Sequence, residues 1–190
     1  NVSIIQHFAF YKCSALTTVT FGNSLTEIPR YAFYGCKLTA VTLPNTVTRI
    51  SEYAFYENSA LASVVLGNAL TQIDANAFNG CNNLTTLTGN CNWNEISLDA
   101  STSFSGTKVI RDNGALYIGG KLICVYEAYG ATELEIEDET TEICANAFKD
   151  NTKVTSISIP SSVRKIGDNA FYGCDNLTSV AIGNSVMTIG

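Results

Sequence analysis

Histidine is nearly missing from this chain. One, His7, occurs in 190 residues, alongside one Met, one Trp and three prolines. A lone imidazole leaves little from which to build the base-activated Ser or Cys of a nucleophilic enzyme. The cysteines contain no Cys-x-x-Cys pair, so the common zinc-ligand spacing is absent too. No apolar run approaches the 18 or so residues of a membrane-spanning helix, and the first residues do not read as a signal peptide. Charge is sparse, at 15% of residues, and its balance is −6. Nothing basic enough to neutralise phosphates is present, so no nucleic-acid partner is expected. What is plentiful is apolar residues, at 46%, with 55 Ser, Thr and Asn. That composition belongs to a folded chain whose surface is covered by hydroxyls and amides.

The sequence repeats. Ala-Phe recurs with Phe at 10, 33, 55, 78, 148 and 171 in steps of 23, 22, 23, 70 and 23. The register is clearest from Leu16, Val19 and Phe21 through Gly22-Asn23-Ser24 to Leu25, Ile28, Ala32, Phe33 and Cys36. It returns as Val154, Ile157, Ile159, Pro160-Ser161-Ser162, Val163, Ile166, Ala170, Phe171 and Cys174. The Leu-x-x-Val-x-Leu piece predicts a short strand, and the Gly or Pro with Asn and Ser/Thr predicts the turn that ends it. Leu-x-x-Ile predicts a second extended piece. Ala then allows close backbone approach, and the Phe is placed to stack on its counterpart at about the 5 Å strand spacing. One such unit buries too little to fold alone, so the coils must stack into a solenoid.

The middle is irregular. Phe104 divides the 70-residue gap and lacks its preceding Ala. Trp93 falls at an inward repeat position, as a core residue or else as an exposed contact. Over 109–130, the runs Ala115–Ile118 and Lys121–Tyr126 flank Gly119-Gly120, a hairpin signal. This irregular coil either caps its own neighbours or projects Tyr117, Tyr126 or Tyr129 outward.

Seven cysteines invite a disulfide reading, yet Cys13, Cys36, Cys81 and Cys174 all stand three residues after the repeat Phe, where Asn58 and Asn151 replace them in other copies. A small, buried, weakly polar side chain facing a turn explains both. A bridge among Cys91, Cys124 and Cys144, or between Cys81 and Cys91, stays open as the alternative.

Seven acids crowd residues 127–142, with no Lys or Arg between 122 and 148. Without them ten acids face eleven bases, so the acidity belongs to one coil. Alignment puts Glu133 and Glu135 at the outward strand positions of Thr18 and Thr20, with Glu137 just beyond. Two readings follow: a docking point for a basic partner or a weak Ca²⁺ site of hard oxygen ligands, or simply a solvated face. Glu142 with Lys165, and Glu27 with Arg49, are expected ion pairs between adjacent coils. Carboxylates on such a strand, with no pocket to desolvate them, make no glycosidase pair. No enzymatic activity, catalytic residue, cofactor or resident metal is expected.

The stretch Leu38-Thr39-Ala40-Val41-Thr42-Leu43-Pro44-Asn45-Thr46-Val47-Thr48-Arg49-Ile50, closed by Ala54-Phe55, resembles the BspA-type leucine-rich repeat, and the likeness covers nearly the whole chain. Asp112-Asn113-Gly114-Ala115-Leu116-Tyr117 is similar to an insertion often seen between these repeats in bacterial members. The resemblance implies one right-handed leucine-rich-repeat superhelix over 1–190. It would have about eight coils of 22–23 residues, short parallel strands, turns, little helix and one hairpin insertion. It also implies a secreted or cell-surface protein that binds a protein or glycan on host or microbial surfaces, without membrane insertion by this segment. A structural spacer holding another domain is the alternative. The register starts and stops inside coils, which predicts a piece of a longer solenoid.

Overall fold

The computed structural model describes residues 2–99 and 102–190. Its backbone forms two compact units, residues 1–109 and 110–190, each a stack of short coils. About seven turns are present, close to the eight expected.

Each unit has two ladders of short strands. In the first, Ala40–Thr42, Ser63–Leu66 and Thr86–Gly89 pair in parallel, as do Glu27–Ile28, Arg49–Ile50, Gln72–Ile73 and Ser97–Leu98. In the second, Glu133–Glu135, Ser156–Ile159 and Ser179–Ile182 pair in parallel. Its other ladder runs from Lys121–Val125 through Glu142–Ile143 and Lys165–Ile166 to Thr188–Ile189. The register matches the sequence repeat residue for residue: Val41 opposes Val64, and Ile28 opposes Ile50. Alternation sends Val41, Val64, Leu87, Leu134 and Ile157 inward, where all are buried. Among the described residues helix is confined to one 3₁₀ turn, Glu127–Tyr129, and no helix is long and apolar enough to cross a membrane.

The phenylalanines form the spine of the first unit. Successive rings from Phe10 to Phe33, Phe55, Phe78 and Phe104 lie 5.1, 5.5, 5.3 and 5.1 Å apart, nearly parallel. Phe104 therefore keeps its place without its alanine. Ser103 stands in, fully buried, its hydroxyl donating to the carbonyls of Asp74 and Asp99. Trp93 is 5% exposed, which decides for the core.

Behind each Phe runs a polar column. The thiols of Cys36, Cys81 and Cys174 donate to the carbonyl oxygens of Phe10, Phe55 and Phe148, one coil back, at 3.1, 3.2 and 3.0 Å. Asn58 performs the same task with its amide, reaching Phe33 O at 2.6 Å and Phe55 O at 2.9 Å. Thr107 holds the column beyond Phe104, its hydroxyl on Phe104 O at 2.7 Å. A buried carbonyl left bare is destabilising, and a small donor at this position satisfies it. All seven cysteines are free thiols, so neither bridge kept open by the sequence forms. Cys13 departs from the expectation of burial and is exposed. Burial pushes the Cys81 and Cys144 thiols up to about 12 and raises Cys124 further.

The hairpin forms where expected, with Ala115–Ile118 antiparallel to Lys121–Val125. Gly119 and Gly120 both take positive φ, 56° and 74°, the backbone that a two-residue turn of this hand requires. Its second strand joins the parallel ladder through Leu122 opposite Ile143. Val125 donates its N–H to Ala147 O, the bond that a repeat Phe makes elsewhere, so the hairpin replaces part of a coil and caps it.

Candidate functional site

Three surfaces carry side chains not consumed by the core. The first is the outward face of the longer strands. In the unit of residues 1–109, Ala40, Ser63 and Thr86 form one column, and Thr42, Val65 and Thr88 the next. In the other unit the columns are Glu133, Ser156, Ser179 and Glu135, Ser158, Ala181. Glu133 and Glu135 are exposed, at the repeat positions that alignment assigns them.

Three of the remaining acids of that run are engaged separately. Glu137 accepts from Arg111 at 2.8 Å, and its backbone N–H donates to the Tyr117 hydroxyl at 3.3 Å. Glu142 sits between Lys121 at 2.6 Å and the predicted partner Lys165 at 3.1 Å. The Glu127 carboxylate accepts from the hydroxyl and N–H of Thr152, which hold it below the usual carboxylate range. The bases missing from the run thus arrive from elsewhere in the unit. Among the described residues no three His, Cys, Asp or Glu side chains converge to hold a metal ion, so the Ca²⁺ alternative has no such set to rest on.

The second surface is the hairpin, and it divides the three candidate tyrosines. Tyr126 is 1% exposed and packs inward, so it presents no ring. It follows Val125 into the coil interior, a consequence of the hairpin strand joining the ladder. Tyr117 is half-buried beneath Arg111, whose guanidinium lies 5.9 Å from the ring centre; burial raises its hydroxyl pKa. Tyr129 is exposed.

The third surface lies on the first coils, and sequence reasoning passed over it. Two columns of aromatic rings flank the phenylalanine spine. Phe8, Tyr31 and Tyr53 stack at 4.9 and 4.8 Å; Tyr11, Tyr34 and Tyr56 stack at 4.8 and 5.0 Å. The columns touch through tilted contacts, such as Tyr53 to Tyr56 at 5.4 Å. Beside them opens a polar cleft of about 410 Å³. Its walls are Arg30 paired with Glu52 at 3.0 Å, Arg49 paired with Asp74 at 2.6 Å, Ser51 bonded to Glu27 at 2.5 Å, and His7. Arg49 was expected to pair with Glu27. It goes instead to Asp74, two coil positions further along, where both Nε and Nη2 reach one carboxylate oxygen. The signal for this surface was legible: Phe8-Ala-Phe-Tyr11, Tyr31-Ala-Phe-Tyr34 and Tyr53-Ala-Phe-Tyr56 repeat aromatic residues on both sides of Ala-Phe, where the next copy reads Asn76-Ala-Phe-Asn79.

Comparison with known proteins agrees with this architecture. Residues 1–110 and 123–190 match the BspA type leucine rich repeat region, in six copies. No curated protein matches. Among solved structures, a leucine-rich cell surface protein from Faecalibacterium prausnitzii is 27% identical, with a TM-score of 0.45 over 94% of this chain and 45% of that one. The pneumococcal vaccine antigen PcpA is 17% identical, with a TM-score of 0.37 over 90% of this chain and 60% of its own. A leucine-rich repeat protein from Eubacterium ventriosum is 23% identical, with a TM-score of 0.41 over 90% and 51%. The chain therefore spans about half the length of these proteins. With the repeat matched over most of its residues, the chain belongs to the BspA-type leucine-rich repeat family.

Proposed function

We propose that the chain is an extracellular or cell-surface binding module that recognises a protein or glycan on host or microbial surfaces and performs no chemistry. The observation that carries this reading is the pair of outward strand columns in each unit, held in register by parallel ladders and populated mostly by Ser, Thr and Ala, with Val65, Glu133 and Glu135 among them. Such a face is rigid before it meets a ligand, so little ordering entropy is lost on binding. Affinity comes from many modest contacts. Glu133 and Glu135, with Glu137 and the ring of Tyr129 nearby in sequence, give one unit an acidic character suited to a basic partner. Family membership supports recognition rather than catalysis, since repeat solenoids of this kind are scaffolds.

The test is saturable binding to panels of matrix proteins, glycans and bacterial cells. Charge reversal by Glu133→Lys and Glu135→Lys should weaken binding to a basic ligand and make it less sensitive to salt. No saturable binding on any panel would sink the reading. The parallel ladders within each unit also favour a second role, a spacer for another domain. If a neutral stalk of equal length restored full function to a deletion variant, the spacer would be preferred.

A further inference from the structure

Most coils enter the left-handed region twice: two residues after the repeat Phe, at Gly35, Gly80, Gly106 and Gly173 or at Lys12, Glu57 and Asp150, and at a second position two residues before it. In the later coils this second position is Asn76 at φ 59°, Asn146 at 60° and Asn169 at 55°, the residue type that tolerates this conformation. In the first three coils it is Phe8 at 61°, Tyr31 at 58° and Tyr53 at 58°. A bulky ring in this region is an outlier, and three in succession occur where the same chain elsewhere uses Asn. Strain of this kind gathers at functional sites. The second aromatic column reads Tyr11, Tyr34 and Tyr56 in the first three coils and Asn79, Lys149 and Tyr172 in later ones.

Within a column, Tyr31 is covered on both faces by Phe8 and Tyr53, and Tyr34 by Tyr11 and Tyr56. What these half-buried rings offer to a ligand is edges and hydroxyls, repeated at the coil spacing of about 5 Å. Arg30 links this row to the cleft, since it lines the cleft and lies 5.1 Å from the Tyr31 ring centre. The cleft is lined by charged side chains from three successive coils, Glu27 and Arg30, Arg49 and Glu52, and Asp74, together with His7. Its charges are already paired, Arg30 with Glu52 and Arg49 with Asp74, while Glu27 accepts from Ser51. A strongly charged ligand would have to break those pairs. An uncharged one can add to them.

We infer that the first three coils bind an uncharged linear oligosaccharide along the row of tyrosines and the paired cleft beside it. Vicinal hydroxyls both donate and accept, which matches guanidinium and carboxylate groups held side by side in fixed orientation. The apolar C–H flanks of the sugar lie against ring edges, and the rings are pre-ordered by stacking, as in tyrosine-rich recognition surfaces. An extended glycan advances by about one coil per sugar, so successive sugars meet successive rings of the two columns. This inference rests on the binding-module reading and specifies its ligand and its place.

The experiment presents the whole chain with a panel of neutral oligosaccharides of increasing length, sialylated and sulfated glycans, and purified matrix proteins. Saturable binding to a neutral oligosaccharide is expected, strengthening with length up to about three sugars and little changed by salt. The double variant Tyr31→Asn, Tyr53→Asn borrows the residue of the later coils, so it should fold, as thermal melting will verify, and should bind about tenfold or more weakly. Arg30→Gln should weaken binding independently, whereas Glu133→Lys with Glu135→Lys should not. Binding only to proteins, or only to sialylated or sulfated glycans, overturns the inference and leaves the binding-module reading standing. So does neutral-glycan binding that survives the double variant. Absence of all binding overturns both.

Discussion

The two units solve one problem by different means. Residues 1–109 close every coil with an aromatic ring, and five phenylalanines stack in an unbroken row. Residues 110–190 have one such contact, Phe148 on Phe171, tilted at 5.0 Å. Where the next ring would stand, the hairpin supplies Val125, and the sheet gains an antiparallel strand. The second unit also uses charge across its ladder, with Glu142 held between two lysines. A solenoid interface thus needs some apolar group and a satisfied backbone at each step; a ring is one way to provide them. Aromatic stacking adds a rigid, regular surface as a by-product, and that surface exists only in the first unit.

The largest way to sharpen this contrast is to remove a spine residue. Phe55→Ala should cost about 3–5 kcal/mol, because Phe55 is fully buried between two rings that cannot both relax into the space. Val125→Ala should cost about 2 kcal/mol, from two lost methyl groups and a smaller cavity. Urea denaturation of both variants checks the ratio. Equal losses would mean that the hairpin coil is as dependent on its side chain as the aromatic coils are on theirs.

Alkaline pH probes the polar interiors. Cys81 in the first unit and Cys144 in the second have thiol pKa values raised by burial from 9.0 to about 12. A raised folded-state value means that stability is full below pH 9 and falls as pH rises toward 12. Each thiol contributes a slope of about 1.4 kcal/mol per pH unit inside that window. Cys81→Ala and Cys144→Ala should each flatten the dependence by that amount in urea melts. Native-state alkylation should label Cys13 first, since Cys81, Cys124 and Cys144 are sealed until the chain opens.

A smaller effect separates the acids. Glu142→Gln should cost about 1 kcal/mol by removing a carboxylate shared between two lysines. Glu135→Gln, on the exposed strand face, should change the melting free energy by less than about 0.5 kcal/mol. Comparable losses would show that the acidic run is a structural unit. A similarly small change is expected at Tyr31→Asn. Relief of the left-handed backbone offsets the lost stacking, and stability should stay within about 0.5–1 kcal/mol of the parent. A large loss there would mean that the tyrosine columns hold the first unit together, and would weaken their assignment to a ligand.

Much of this was legible in the residues. Six Ala-Phe pairs and their flanking apolar positions predicted the coils, the strand register and the spacing of the rings, because a repeat that buries the same face each time admits one stacking register. The hairpin was legible from Gly119-Gly120. The candidate site was legible only in part. Glu133 and Glu135 stand where alignment puts them, but Tyr126 turns inward because its strand joins a ladder whose partner lies 21 residues on. Arg49 chose Asp74 over Glu27, since a long side chain samples several coils and the pairing depends on which carboxylate is already engaged, here Glu27 by Ser51.

By itself, then, the sequence determined the repeat, its period and the inward and outward faces. Those properties depend on local pattern and on composition. Only the tertiary structure decided which charges cancel, that the thiols cap carbonyls rather than pair with one another, and that six scattered aromatic residues become two stacked columns beside a cleft. These depend on distances across coils more than twenty residues apart. The scarcity of charge gains a structural meaning: Arg30, Arg49, Arg111, Lys121 and Lys165 each meet a carboxylate from another coil.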